Sequence, residues 1–476
     1  MSSSKLLQLT KNDTWSTEDS YEGVLILGGN GSGKTSGSGK EIAKSFLAAG
    51  FGGLVMTVKP DEVRRWQCYT EETGRSRDIV LLQPGLPAAL NFLDYEASRS
   101  GAGAGLTHEL VNVLQIAMDG GRERGDVENP FWKDSVAQLL TNSIDLSLMA
   151  TGSVSLPKIV SIIRTAPLSP QDAATLTYDL PRRQAVLASK GFVWADSSEC
   201  AKLLTQAFES TKGTDRGADF RETYEFFIRE WANLDNRTRS NIVATLMSRL
   251  SGLLRTPFRQ LFSEKTNAPP DITFDGKIVI LNLPVKEYGE VGRYAQVLYK
   301  TIWQRAVERR GSYGRPVFLW ADEAQHFVTK YDMLFQQTAR SSRAASVYLT
   351  QSVVNFRAAL DSGNSVNISD SLLGTLQTKI FHANACPLTN EYSERLHGAE
   401  LQSVGNMSLG AGGVSGGFQR MMLPILPAVK FSSLRKGGAA NNRIVDAYIY
   451  QSGRIWKGND AKHNKNWLVT SFHQDR

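Results

Sequence analysis

Cysteine is scarce: Cys68, Cys200 and Cys386 stand far apart in 476 residues. No two of them share the spacing of a zinc ligand set. This excludes a zinc-ribbon or disulfide-built domain and predicts free thiols in a reducing cytosol. The six histidines are also scattered, so no zinc site is expected. No apolar run approaches the 18 or so residues that a membrane-spanning helix needs. Residues 1–20 form a polar segment without an apolar core of signal-peptide length. These absences predict a cytoplasmic chain with no integral membrane segment. Acid is in slight deficit: 47 Asp+Glu against 54 Lys+Arg leaves a net charge of +7. Such a balance is compatible with nucleic acid as a partner without requiring it.

Glycine, by contrast, is concentrated in one place. Gly28-Gly29-Asn30-Gly31-Ser32-Gly33-Lys34-Thr35 fits the phosphate-loop pattern G-x4-G-K-[ST]. Glycines let successive backbone N–H groups turn inward around an anion without Cβ clashes. The lysine reaches the β- and γ-phosphates, and the threonine hydroxyl ligates Mg²⁺. The flanks agree with that chemistry. "GVLILG" before the loop is a strand by composition, and "KEIAKSFLAAG" after it is helical, so a helix dipole adds to the anion site. A second Gly-Lys pair, Gly39-Lys40, fails the pattern, because Lys34 and Glu41 stand where glycine and Ser/Thr are needed. Lys40 is expected to be a solvated helix lysine.

A phosphate loop requires a carboxylate from a neighbouring strand. "RPVFLWADEAQHF" places Asp322 and Glu323 after an apolar strand. Asp322 suits Mg²⁺, and Glu323 suits polarisation of the attacking water. Another short strand, "SVYLTQ", ends at Gln351, where a polar side chain can touch a γ-phosphate. Arg340 and Arg343 lie between these two strands as candidate catalytic cations.

Strands alternate with helices through the first hundred residues, then give way to helical spacing from about Leu106 to Phe262. The strand pattern resumes at "DGKIVILNLP". The expected class is α/β with a mainly parallel sheet interrupted by an all-α insert. The motor domain covers residues 21–105 and 263–476 and the insert 106–262, with the glycine-rich Ser100–Gly105 as a hinge. Arg237, Arg239, Arg249, Arg255 and Arg259 form a cluster without acids, a candidate DNA contact beside the basic C-terminal tail. Ser403–Arg420 is glycine-rich and reads as a mobile loop that binds no phosphate.

With these residues on view, the chain resembles the soluble ATPase part of conjugation and type IV secretion coupling proteins, within the wider FtsK/HerA group of hexameric DNA motors. "GGNGSGKT", "VKPDEVRRW", "LNFLD", "NPFWKDSV", "LWADEAQHF", "QTARSSRAASVYLTQS", "ERLHGAE" and "IYQSGRIWKG" carry the resemblance in order, from about Tyr21 to the end. It implies a RecA-like P-loop NTPase with an all-α domain, ATP and Mg²⁺ as cofactors, and a homo-hexameric ring. Double- or single-stranded DNA, bound with little sequence preference, would lie in its channel, and a relaxase, secretion or other mobile-element protein is a further possible partner. By position, Lys34 and Thr35, Asp322 with Glu323, and Gln351 match the family's site, and Arg340 or Arg343 its trans-acting arginine, Arg343 first. "VKPDEV" departs from the pattern of many anchored members, and Lys59 and Asp61 are assigned no catalytic role. The expected function is an ATP-driven DNA-translocating motor. The alternatives are an ATPase that delivers or assembles protein partners, and a nucleotide-binding regulator with negligible turnover, against which Glu323 argues.

Overall fold

The computed structural model describes residues 4–100, 105–119, 130–176, 194–361, 367–410, 413–458 and 465–474. Most of the glycine-rich stretch expected as a hinge lies outside them.

Thirteen strands are present among the described residues: β1 (Lys5–Gln8), β2 (Thr14–Ser16), β3 (Val24–Leu27), β4 (Gly52–Met56), β5 (Ile79–Leu82), β6 (Ile278–Leu281), β7 (Val317–Ala321), β8 (Ala344–Thr350), β9 (Thr378–Phe381), β10 (Ala399–Gly410), β11 (Gly413–Pro424), β12 (Ile444–Gln451) and β13 (Trp467–His473). Nine of them form one sheet in the order β13-β12-β9-β3-β8-β7-β4-β6-β5. From β9 across to β6 the pairing is parallel, while β12 and β13 add antiparallel to the β9 edge. The architecture is therefore α/β with a mainly parallel central sheet, as the strand spacing predicts. The sequence of the central strands explains their place. Val24-Leu25-Ile26-Leu27 is buried throughout, as a parallel strand covered on both faces must be. β12 instead alternates, with Val445, Ala447 and Ile449 turned inward.

Two compact units emerge. One comprises residues 1–80, 271–287 and 303–476, and the other 81–270 and 288–302. The polar N-terminal segment belongs to the first unit and contributes the small antiparallel pair β1–β2. Stacked aromatics hold two helices against the same part of the sheet. Phe46, from helix Lys40–Ala48, stacks on Phe318 of β7 at 5.4 Å, and Trp66, from helix Glu62–Glu72, stacks on it at 5.5 Å. The second unit is helical. Its helix Leu156–Thr165 begins at Ser155, whose hydroxyl accepts from Lys158 N, and buries Leu156, Ile159, Val160, Ile162 and Ile163 on one face. Helix Val285–Arg310 runs through residues of both units and breaks its helical backbone at Gly289. No single helix among the described residues is long and apolar enough to cross a membrane.

One expectation fails here. Ser403–Arg420 is not a loop: Ala399–Gly410 and Gly413–Pro424 form a β-hairpin with twelve residues in each strand. Glycine lowers strand propensity, but the unbroken register Ala399↔Pro424 to Gly410↔Gly413 outweighs it.

Candidate active site

In a parallel sheet all carboxyl ends share one edge, and a crevice at that edge takes the ligand. The segments that follow β3, β4, β7, β8 and β9 meet there. The loop after β3 is pinned on both sides. Gly28 N donates to Thr350 O at the tip of β8, and Gly29 N donates to Ala383 O beyond β9. Gly33 sits at φ +84°, and a Cβ there would lie 2.5 Å from Val445. A Cβ at Gly28 would lie 2.3 Å from Ser32 Oγ. Larger residues at either place would collapse the cradle. Ser32 Oγ is buried with no hydrogen-bond partner among the described residues, a donor held for a ligand atom.

Lys34, Thr35, Asp322, Glu323 and Gln351 converge, although nearly three hundred residues separate the first pair from the second. Thr35 Oγ1 donates to Asp322 Oδ2 at 2.7 Å. Lys34 Nζ lies 3.5 Å from Glu323 Oε1 with both side chains buried. Gln351 Nε2 lies 3.3 and 3.4 Å from the two Glu323 carboxylate oxygens. A hydroxyl beside a carboxylate is the donor set of a hard divalent cation, and a buried lysine beside a glycine cradle suits a polyphosphate. The residues present thus fit a nucleotide with its metal ion.

β8 separates β3 from β7, so Gln351 reaches Glu323 from the strand between the phosphate loop and the acid pair. Glu323 adopts φ +53°, a left-handed backbone that costs a non-glycine residue about 1–3 kcal/mol and clusters at functional sites. Burial alone would raise its pKa. The hydrogen bond from Gln325, the charge of Lys34 and the contact with Gln351 outweigh burial and hold the carboxyl below its ordinary value. It is therefore ionised at neutral pH.

Sequence reasoning passed over four neighbours. Gln325 Nε2 donates to Glu323 Oε2 at 2.9 Å while Thr350 Oγ1 donates to Gln325 Oε1, so one amide braces the acid against β8. Arg65 Nη1 lies 3.9 Å from Asp322 Oδ2. Glu62 is buried beside them and accepts from Val58 N at 2.8 Å; burial first, then the charge of Asp322, pushes its pKa up to about 8. The i, i+3 spacing of Glu62 and Arg65 on the helix after β4 is the only sequence signal for this pair. Asp61 pairs with Arg65 at 3.1 Å, outside the catalytic contacts.

The fourth neighbour is His382, just beyond β9. Its Nδ1 is 3.1 Å from Asp446 O, which can only accept, so Nδ1 carries the proton. Its Nε2 then accepts from Ser38 Oγ at 2.7 Å, under the helix that continues the phosphate loop. Burial, against the hydrogen bond to Asp446, pushes its pKa down to about 4. The unfolded chain takes up this proton near pH 6.5 and the folded chain only near pH 4, so stability falls as pH drops through that window. The expected loss is up to about 3 kcal/mol. His382→Gln, which can keep both hydrogen bonds, should flatten Tm against pH between these limits. An unchanged slope in the variant would assign the acid sensitivity to other groups.

Lys40 is not solvated: it is buried, and its Nζ donates to His473 O at 3.0 Å. β13, paired with β12 beyond β9, carries that carbonyl, which no local pattern announces. Arg340 and Arg343 precede β8, at the opposite end of the strand from Gln351. With β8 seven residues long, roughly 20 Å separates them from their own phosphate loop. Arg343 Nη1 donates to Gly314 O at 3.2 Å, and its φ is +52°. Its guanidinium anchors the turn before β7, which reverses the expected preference for it. Arg340 pairs with Glu22 at 3.0 Å, yet its side chain stays 70% exposed.

Within the helical unit Arg239 is buried, donating to Pro167 O, Trp231 O and Leu234 O, and it cannot follow a phosphate backbone. Arg237 is exposed. Arg255 and Arg259 line, with Arg164, a cleft of about 380 Å³ floored by Pro157, Val160, Met247 and Leu254.

The topology and this site define a RecA-like P-loop NTPase fold. The chain is similar in structure to the bacterial conjugative coupling protein TrwBdeltaN70 in its unbound form, with a TM-score of 0.63 and 12% identity over 100% of this chain and 90% of that one. The plasmid coupling protein TrwB in complex with ADP and Mg²⁺ matches with a TM-score of 0.61 at 12% identity, over 100% and 90% of the two chains. Its complex with a non-hydrolysable ATP analogue matches at 0.58 and 12%, over 100% and 91%. At that identity the likeness establishes the fold. No protein-family model matches the sequence, and no curated protein sequence is significantly similar to it.

Proposed function

We propose that this chain is a Mg²⁺-dependent ATPase that works as a ring-forming DNA motor. One observation carries the hydrolytic part: Lys34, Thr35, Asp322, Glu323 and Gln351 come together at one sheet edge. Bound ATP–Mg²⁺ supplies an activated phosphoryl group at this edge. Lys34 and the loop N–H groups would neutralise charge on the phosphates, and Thr35 and Asp322 would hold the metal. Glu323, ionised and braced by Gln325, orients and polarises the attacking water. Gln351, already in contact with Glu323, links the state of the acid to β8.

The nucleic-acid part rests on different support. Conjugative coupling proteins share the fold over the whole chain, and three arginines, Arg164, Arg255 and Arg259, line one cleft of the helical unit, with Arg259 also paired to Glu264 at 3.3 Å. ATP turnover is expected to rise on adding DNA, with little dependence on its sequence. Removing Arg255 and Arg259 together should weaken duplex binding and lower the slope of log K against log[salt] by about 2, since each released phosphate contact contributes roughly 0.9. Turnover indifferent to both single- and double-stranded DNA would favour the delivery or assembly of a protein partner instead.

A ring lets a cation from one subunit reach the nucleotide of the next. Arg340 is the better placed, because Arg343 is engaged in the turn before β7. Arg340→Ala should bind ATP and hydrolyse it poorly, and should regain activity when mixed with Lys34→Ala chains. Wild-type turnover by Arg340→Ala alone would remove that role.

A further inference from the structure

The hairpin β10–β11 has no place in the nucleotide site. Its strands pair only with each other. Twelve residues of strand extend about 40 Å. An isolated ribbon of this kind is marginal in water unless something covers it.

The register sorts its side chains. Leu401, Ser403 and Gly405 face the same side as their partners Met422, Arg420 and Phe418. On that side Leu401 is 57% exposed, Met422 64% and Phe418 88%. Phe418 stands opposite Gly405, where a Cβ would lie 3.6 Å from the ring, an ordinary contact distance. Nearly all of the ring surface is open to solvent. Arg420 is its same-face neighbour on the strand.

The charge along this part of the chain indicates what the hairpin meets. Residues 399–446 hold Arg420, Lys430, Arg435, Lys436 and Arg443 against Glu400 and Asp446, the latter paired with Arg435. The net of +3 (five cations minus two acids) favours a polyanion. A flat aromatic face with an arginine beside it is the combination that stacks a base and holds its phosphate.

The hairpin base is also tied to the site. Asn384 Nδ2 donates to Gln351 O at 2.7 Å, and Asn390 Nδ2 donates to Asn384 O at 3.0 Å. Asn390 lies in helix Pro387–His397, which leads directly into β10. Glu394 of that helix accepts from Ala428 N, just after β11, at 2.7 Å. A polar path thus runs from the tip of β8 to both ends of the hairpin.

We propose that β10–β11 is a nucleic-acid contact, with Phe418 stacking on an unpaired base and Arg420 holding the adjacent phosphate. This rests on the reading of the chain as a nucleic-acid motor. The test uses the full chain and a labelled single-stranded oligonucleotide. Phe418→Ala should weaken binding at least about fivefold, the lower range for losing one base–aromatic stack. Phe418→Tyr should bind as wild type, and Phe418→Leu should be as weak as the alanine variant. Arg420→Gln should lower the salt slope by about 0.7. ATP hydrolysis without DNA should be the same in all four. Wild-type affinity in Phe418→Ala, or full rescue by leucine, would overturn the contact. A change in oligomeric state in Phe418→Ala would overturn it in favour of a second copy of the chain. If the wild type binds neither a single-stranded nor a double-stranded oligonucleotide, the motor reading falls with it; binding of the duplex alone, or equal binding of the single strand by the wild type and the alanine variant, removes the hairpin contact alone.

Discussion

Lys34→Ala should abolish ATP hydrolysis, while Lys40→Ala keeps the activity and loses stability. The two lysines lie six residues apart in one glycine-rich stretch, and their surroundings differ in kind. Lys34 ends the cradle and faces Glu323 at 3.5 Å, so its ammonium is the cation nearest the place of the terminal phosphates. Removing it leaves the phosphate charge to the backbone N–H groups and the metal ion. Lys40 points the other way, to His473 O on β13. Truncating it removes this hydrogen bond from a charged donor, at a cost of about 1.5–3 kcal/mol. Phosphate release at saturating ATP, together with thermal melting of each variant, separates the two effects. Equal loss of turnover at temperatures where both variants are folded would mean that the loop has been misread.

Glu323→Gln should bind ATP and Mg²⁺ and turn over at least about 100-fold more slowly, the usual scale for losing a general base or water-orienting group. The amide has the shape of the acid. It can still meet Gln351 and Gln325, so Thr35, Asp322 and the loop should hold the nucleotide unchanged. What is lost is the negative charge that polarises water. Because the neighbours hold the Glu323 carboxyl below its ordinary pKa, it is a weak base, and its larger contribution is orientation. Lys34, freed from its ion pair, should not bind nucleotide less tightly in the variant. A binding isotherm beside a single-turnover measurement checks both points, and near-normal turnover would move the water-activating group elsewhere.

The glycine-rich loop and the acid pair proposed here as the nucleotide site stand out in the sequence because each is a local chemical pattern on a local structural pattern. Glycines at fixed offsets follow a run of four apolar residues, and Asp322-Glu323 follows a run of five. Gln351 was legible in the same way, as a polar residue at a strand tip. Gln325, Glu62, Arg65 and His382 were not. Their roles depend on what tertiary packing brings beside them: His382 meets Ser38 across 344 positions, Arg65 meets Asp322 across the sheet edge, and Gln325 ties Glu323 to Thr350 of β8. Lys40 was misjudged for the same reason, since the carbonyl that buries it is 433 positions away.

Local patterns in the sequence indicated an α/β chain with a glycine-rich loop after one apolar strand, an acid pair after another and a stretch of helical spacing between them. Burial on both faces forces continuous apolar runs, and anion binding forces glycine at set positions. Tertiary structure alone decided the order of the strands. That order places β8 between β3 and β7, and so sets Gln351 against Glu323. It also decided that a glycine-rich stretch is a paired ribbon, because strand pairing is settled by a register between segments and not by the propensity of either one. The arginines divided on the same principle. Arg239 and Arg343 are bound to carbonyl oxygens while Arg255 and Arg340 remain exposed. Residue type specifies a charge, but only packing determines whether a distant backbone group has already claimed it.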